Sequence, residues 1–343
     1  MRSGSPHLRL LLPLAVCAVA IVLAGCEVDS PIARALKPLS PQMLAQLEQK
    51  NMPKDSPILI RLFKEESEIE VWKQNTSGRF ALLKTYPICR WSGELGPKTR
   101  EGDRQAPEGF YTVTPGQMNP NSHYYLAFDI GYPNAYDRAY GRTGGNIMVH
   151  GDCSSRGCYA MTDKQISEIY ALAQESFYGD QRSFQVQAYP FRMTPLNLTK
   201  HRNNPNMAFW RMLKEGNDHF EVTHLEPKID VCEKRYMFNA EPVGGLANDP
   251  IRNDNGPWRH IDASAAATPA AALPLNPIGW CPPYEVPHEI AAVVTEKNRR
   301  DESQIAELVS RGTPTVPVRT GTDGGMHPLF RNGPGALNGI DVD

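Results

Sequence analysis

The sequence has almost no charge of one sign to spare. Its 36 lysines and arginines against 38 aspartates and glutamates leave a formal net charge of -2. A nucleic-acid partner would ask for a basic face, and none is provided. No internal repeat is present, which sets repeat architectures aside. The glycines between Gly141 and Gly145 do not form a G-x-G-x-x-G run opening a helix, so no dinucleotide fingerprint exists there. Cysteine is sparse, with 7 in 343 residues. Proline, at 30 residues, is abundant, which argues for many loops and against an all-helical bundle. The length suits two ordinary domains of roughly 100–200 residues each.

The first 25 residues differ from the rest. Arg2 and Arg9 flank the start of LRLLLPLAVCAVAIVLAGC. A basic start, an apolar stretch and small residues at its end read as a secretory signal. The apolar stretch is short for a membrane span, which needs about 20 residues. Leu23-Ala24-Gly25-Cys26 resembles the bacterial lipobox, which implies a lipidated Cys26, a membrane as partner and a cell-envelope location. A periplasm-facing lipoprotein, of the outer membrane by preference, is the expectation. A plain cleaved signal peptide or an uncleaved anchor helix are the alternatives.

Export changes how the cysteines read. Beyond Cys17 and Cys26, five remain: Cys89, Cys153, Cys158, Cys232 and Cys281. Oxidising compartments favour pairing, and an odd number leaves one thiol over. Cys232 and Cys281 are one candidate bridge. Cys153 has three open fates: a bond to Cys89, a bond to Cys158 that acts as a redox switch, or a free thiol.

Residues 26–55 read as a polar tether with one short helical candidate, MLAQLEQK. Strands are expected at SPILIRLF, EIEVWKQ, RFALLKTYPI, GFYTVTP, HYYLAFDIG, NIMVHG and SFQVQAY, with the turn-like NTSG joining a hairpin. The long polar stretches SGELGPKTREGDRQAPEG and YPNAYDRAYGRTGG exceed ordinary connections and are candidate functional loops. Thr162 with Gln165 fits a capping box. Ile166, Ile169, Tyr170, Ala173 and Phe177 follow at helical spacing. Residues 56–192 therefore read as a mainly β, α+β unit with one good helix. In the extension 193–343, MAFWRMLKEG reads as a helix ending at Gly216. HFEVTHL and IDVCEKRYMF read as strands, with His219 and His224 as strand or surface residues. KNRRDESQIAELVSRG reads as a polar helix, ASAAATPAAALPLNP as a low-complexity segment, and the tail from Thr313 as irregular.

Residues 147–161, IMVHGDCSSRGCYAM, hold the chemistry. A thiol attacks well only after losing its proton, so it needs a base or a site that favours the thiolate. His150 closes a strand and is thereby fixed by a rigid element. Cys158 follows eight residues later, enough chain to turn back towards the imidazole. Gly157 removes bulk beside the sulfur, and the amides of Gly157 and Cys158 are candidate oxyanion donors. The bland readings are a structural cysteine and a core histidine. A zinc site of His150, Cys153 and Cys158 lacks a clear fourth ligand. Asp103, Glu101 and Glu108 read as solvated loop acids. No metal and no cofactor are expected.

Val149-His150-Gly151 followed by Ser155-Arg156-Gly157-Cys158 resembles the signature of the L,D-transpeptidase catalytic (YkuD-type) family. HGDCSSRGCYAMTD is most similar to its YafK/DpaA-like subgroup. The upstream SGELGPKTREGDRQAPEGFYTV resembles the family as well. The resemblance covers residues 56–192 and implies a β-sandwich-like domain acting on peptidoglycan stem peptides. It implies Cys158 as nucleophile and His150 as general base and acid, forming a thioester at meso-diaminopimelate. The histidine would be oriented by a backbone carbonyl, at Gly151, with Ser155, Arg156 and Gly157 lining the site. An amine or water then takes the acyl group, giving either a cross-linking transferase or an endopeptidase/amidase that cuts cross-links or frees a wall-linked lipoprotein. Tyr159 and Ala160 stand where many members carry an arginine. Arg156 and Arg142 are the substitutes available for holding a substrate carboxylate. A non-catalytic wall-binding lipoprotein is the reading from another class.

Overall fold

The computed structural model describes residues 30–242, 284–318 and 324–331. The expected anchor at Cys26, the low-complexity segment and Cys281 lie outside the described residues.

The chain opens with two short helices, α1 (Pro31–Ala35) and α2 (Pro41–Gln49). Ser30 and Ser40 cap them by accepting the amides of Ala33 and Met43, and a proline follows each cap. Proline costs nothing at that position because its missing N–H would have no helical partner. Ala35, Leu39, Met43, Leu47 and Met52 are buried in the main core. Residues 30–52 are therefore packed structure, where a tether was expected. Their spaced apolar residues find a surface that composition did not reveal.

Strands β1 (Ile58–Phe63), β2 (Glu68–Gln74), β3 (Phe80–Pro87), β4 (Arg90–Trp91), β5 (Gly109–Val113), β6 (Met118–Asn119), β7 (Ala127–Asp129), β8 (Met148–His150), β9 (Tyr159–Ala160) and β10 (Phe184–Tyr189) follow, with helix α3 (Ala135–Ala139) between β7 and β8 and helix α4 (Asp163–Tyr178) between β9 and β10. They build two five-stranded sheets, ordered β3-β2-β1-β10-β5 and β4-β9-β8-β7-β6. The expected mainly β, α+β architecture is present. The main core lies where Ile58, Ile60, Leu62 and Val186 of the first sheet meet Phe128, Val149 and Tyr159 of the second. Phe128 and Phe184 make an edge-on ring contact at 5.7 Å. Helix α4 starts at the expected capping box, with the Gln165 amide donating to Thr162 Oγ1 and the Thr162 amide to Gln165 Oε1. It buries Ile166, Ile169, Tyr170, Leu172 and Ala173 in the same core. Each large apolar side chain so buried contributes about 1.5–3 kcal/mol.

The first sheet is covered on both faces, which is why β1 and β10 are buried at every position. Its outer face, with Phe63, Phe110 and Tyr189, packs on α6 (Met207–Thr223), which follows the short α5 (Pro195–Lys200). The helix expected to end at Gly216 runs on through His219 to Thr223, taking in most of the expected strand HFEVTHL. A Cβ at Gly216 would sit 2.4 Å from the rings of Phe110 and Phe238. Glycine there admits a close approach rather than ending the helix. His219 is a buried helical residue, and His224 caps the helix in the left-handed region. A hairpin of β11 (Ile229–Cys232) and β12 (Arg235–Phe238) and the polar helix α7 (His288–Ser310) complete this side. Cys232 is disulfide-bonded.

One fully buried ion pair ties these layers together. Lys64 Nζ donates to Glu108 Oε1 at 2.9 Å and to the carbonyls of Glu94, Gly96 and Ala106. Glu108 also accepts the Gly96 amide at 2.6 Å and Trp210 Nε1 at 2.8 Å. Glu108 is thus no solvated loop acid. Burial pushes the Lys64 ammonium below its ordinary 10.5, and Glu108 opposes that shift. Breaking such a pair from one side strands the other charge. Glu108→Ala is expected to lower unfolding free energy by about 3–5 kcal/mol. The double change Lys64→Met with Glu108→Leu is expected to cost less, as urea denaturation of the two variants would measure.

Candidate active site

Three strands of the second sheet carry the site. β7 and β8 are antiparallel, with Ala127 opposite His150, Phe128 opposite Val149 and Asp129 opposite Met148. β8 and β9 are parallel, with Val149 beside Tyr159 and His150 beside Ala160. Paired residues share a face and faces alternate along a strand. Phe128, Val149 and Tyr159 therefore point into the core, where all three are fully buried. The opposite face carries Ala127, His150 and Ala160 in one row. Cys158, one residue before β9, joins Asp129 and Met148 in the next row. His150 and Cys158 are diagonal neighbours on one face, a relation that puts Cα atoms about 7–8 Å apart.

The imidazole is held on several sides. His150 Nδ1 lies 2.7 Å from the Gly151 carbonyl oxygen. A carbonyl only accepts, so Nδ1 carries the hydrogen and Nε2 is the bare nitrogen. The Tyr124 ring lies over the imidazole, with centroids 4.7 Å apart and planes at 35°. Gly151 brings that about: its amide donates to the carbonyls of Tyr124 at 3.0 Å and Leu126 at 3.2 Å. A Cβ on Gly151 would stand 2.5 Å from Asp163 Oδ1 and 2.9 Å from the Tyr124 carbonyl. After Gly151 the chain turns through two left-handed residues, Asp152 and Cys153. Asp163 Oδ1 accepts the Asp152 amide at 2.9 Å, and Cys153 is bonded to Cys89 with Cα atoms 5.3 Å apart.

That bond decides among the fates of Cys153. It is spent, so it serves neither as a zinc ligand nor as the partner of Cys158, which is the free thiol among the described residues. No group of three or more metal-ligating side chains occurs among the described residues.

Cys158 is half-buried. Its sulfur accepts the Met148 amide at 3.4 Å, and its thiol donates to the Asn146 carbonyl at 3.9 Å. Among the described residues it makes no hydrogen bond to His150. Ser155 braces the loop. Its hydroxyl donates to the Cys158 carbonyl at 2.7 Å and accepts the Cys158 amide at 3.1 Å and the Gly157 amide at 3.4 Å. Ser92 Oγ lies 2.8 Å from it. With its own hydrogen committed, Ser155 must receive the Ser92 hydrogen. Three donors then compete for two lone pairs, and the Gly157 amide is the loosest. Gly157 adopts φ +125°, which a side chain would resist. Both expected oxyanion donors are thus turned onto Ser155 in this resting arrangement.

Electrostatics favours neutral partners. Burial raises the Cys158 thiol above its ordinary 9.0; the Met148 amide opposes this, Asp129 adds to it and Lys98 opposes it. Burial lowers His150 below its ordinary 6.5, against the Gly151 hydrogen bond and Asp152, which raise it. The resting site is a thiol beside a neutral imidazole rather than a thiolate–imidazolium pair.

Of the other expected residues, Arg156 is exposed at the loop tip. Arg142 is half-buried and committed to Asp137 at 2.7 Å, so it is not available to a substrate carboxylate. Three residues of the site escaped sequence reasoning: Tyr124, Ser92 and Asp129. Tyr124 was absorbed into an expected strand. Asp129 lies in that same expected strand and Ser92 opens the long loop SGELGPKTREGDRQAPEG, but nothing local marks either as a site residue, and only pairing brings them here.

A family model for the L,D-transpeptidase catalytic domain matches residues 59–177. YafK of Escherichia coli strain K12, whose name gives it as a candidate L,D-transpeptidase, is 45% identical over 192 residues, covering 56% of this chain and 78% of that protein. The protein of the same name from Escherichia coli O157:H7 matches to the same extent. Among solved structures, a point mutant of the helical cell shape determining protein Pgp2 from Campylobacter jejuni is similar at 22% identity and a TM-score of 0.33, covering 48% of this chain and 56% of that one. With its histidine and free cysteine inside the matched span, and a relative this similar over most of that relative's length, the chain belongs to the L,D-transpeptidase catalytic domain (YkuD) family.

Proposed function

We propose that this chain is an exported cysteine acyltransferase acting on peptidoglycan stem peptides, with Cys158 as nucleophile and His150 as general base and then acid. The observation that carries the reading is the shared face of His150 and Cys158, with Nδ1 held by Gly151 so that the bare Nε2 can take the thiol proton. In the first half-reaction Cys158 Sγ bonds to the carbonyl carbon of the L-centre of meso-diaminopimelate as its proton passes to Nε2. The C–N bond to the next residue then breaks, and the imidazolium gives its proton to the leaving amine, leaving a thioester. An amine takes the acyl group in transfer, and water takes it in hydrolysis. The Gly157 amide, held loosely by Ser155, is the donor most readily released to the oxyanion. Arg156, exposed beside the cysteine, is the cation available to a substrate carboxylate. Cys26 is the lipid anchor and the periplasmic side of the membrane the location.

Incubation with purified sacculi followed by muropeptide mass analysis tests the reading. New cross-links mark transfer, and loss of dimers or of linked lipoprotein marks cleavage. Cys158→Ala is expected to abolish either activity, and His150→Ala to reduce it by about 10²–10⁴-fold. A Cys158→Ala protein with undiminished activity overturns the assignment.

The neutral resting pair fixes a pH profile. Thiolate-dependent alkylation of Cys158 by iodoacetamide should climb with pH to a midpoint above 9, because burial disfavours the anion. An alkylation rate already at its plateau at pH 6 would reveal an ion pair instead. The rate of acyl transfer should fall on the acid side with a midpoint below 6.5, where His150 becomes protonated and can no longer accept.

A further inference from the structure

Asp129 stands on the same face as the reactive sulfur and has no role in the chemistry above. It pairs across β7–β8 with Met148, and the Met148 amide in turn touches Cys158 Sγ. The three residues form one row across three strands. Asp129 Oδ1 accepts the Gly131 amide at 2.8 Å. No ion pair reaches the carboxylate among the described residues, and it is only half-exposed. The nearby cation Lys98 is committed to Asp103 at 2.5 Å and to the Arg100 carbonyl. A half-buried carboxylate without a cation beside a nucleophile is costly in the empty site, and an incoming positive charge would relieve that cost.

We propose that Asp129 binds the side-chain ammonium of the acyl donor, and so selects donors whose reacting residue is a diamino acid. The proposal rests on the acyl-transfer reading of Cys158. Spacing chooses which ammonium. Two strand separations of about 4.8 Å put the Asp129 and Cys158 backbones roughly 10 Å apart. The leaving amine is bonded to the carbonyl under attack and must lie at the sulfur, out of reach of Asp129. An ammonium at the far end of such a diamino acid side chain is six bonds from that carbonyl carbon and stands roughly 7.5 Å from it when extended. That length spans the gap once the aspartate side chain leans in. Burial raises the Asp129 carboxyl above its ordinary range in the empty site, and a bound ammonium reverses the shift.

Asp129→Asn is the discriminating variant, since the amide oxygen still accepts from Gly131 while the charge is gone. Binding to a Cys158→Ala background and turnover by the Cys158 protein are measured with two stem peptides. One carries meso-diaminopimelate with its side-chain amine free, the other with that amine acetylated. The free-amine peptide should bind about tenfold more tightly, and Asp129→Asn should erase the difference through the free-amine peptide alone, in KM rather than kcat. The same variant should also speed iodoacetamide alkylation of Cys158 at pH 8, because a negative charge that raises the thiol has been removed, an effect that a purely structural role would not produce. Equal binding of the two peptides, with turnover intact, overturns the Asp129 assignment and leaves the acyltransferase standing. Absence of both binding and turnover with either peptide overturns the two together.

Discussion

Everything at the site depends on the parallel pairing of two very short strands. Val149 beside Tyr159 and His150 beside Ala160 set which side chains share a face. A slip of one residue would send Cys158 into the core and bring Tyr159 out, because strand faces alternate strictly. Parallel pairing of so few residues is weak by itself. It is braced by the Cys153 amide on the Met161 carbonyl, the Met161 amide on the His150 carbonyl, and the disulfide that ties Cys153 to Cys89. The large buried rings of Phe128 and Tyr159 then make the wrong register expensive.

The site is preorganised by position rather than by charge. Burial works against both the thiolate and the imidazolium, so the resting pair keeps its proton on sulfur, directed at the Asn146 carbonyl. What the fold supplies is a fixed tautomer, a ring held under Tyr124, and a loop whose amides are parked on Ser155. What this arrangement lacks is a hydrogen bond between the thiol and His150 and an amide of Gly157 or Cys158 free of Ser155.

Sequence and structure agree where local chemistry is strong. Each expected strand from Ile58 to Tyr189 forms in part or whole, HYYLAFDIG only over Ala127–Asp129, and the Asn75–Gly78 turn and the Thr162–Gln165 cap form as their residues suggest. His150 and Cys158 were legible because motif residues cluster within a dozen positions. Long-range placement was not legible. The close packing that makes Gly216 helical comes from Phe110 and Phe238, far away in sequence. Met43 and Leu47 look like a surface helix until the core that receives them is known. Arg142 reads as a free cation until Asp137 is found against it.

The helix Met207–Thr223 lies beyond the span that marks the family, yet its Trp210 donates to Glu108, and Glu108 with Lys64 pins the loop that leads to Ser92 and Ser155. Family span and packing therefore draw the edge of this domain in different places. The family span ends at residue 177, whereas the chain that covers the back of the first sheet runs on to Thr223, so a piece cut at the family boundary would leave Phe63 and Phe110 facing water.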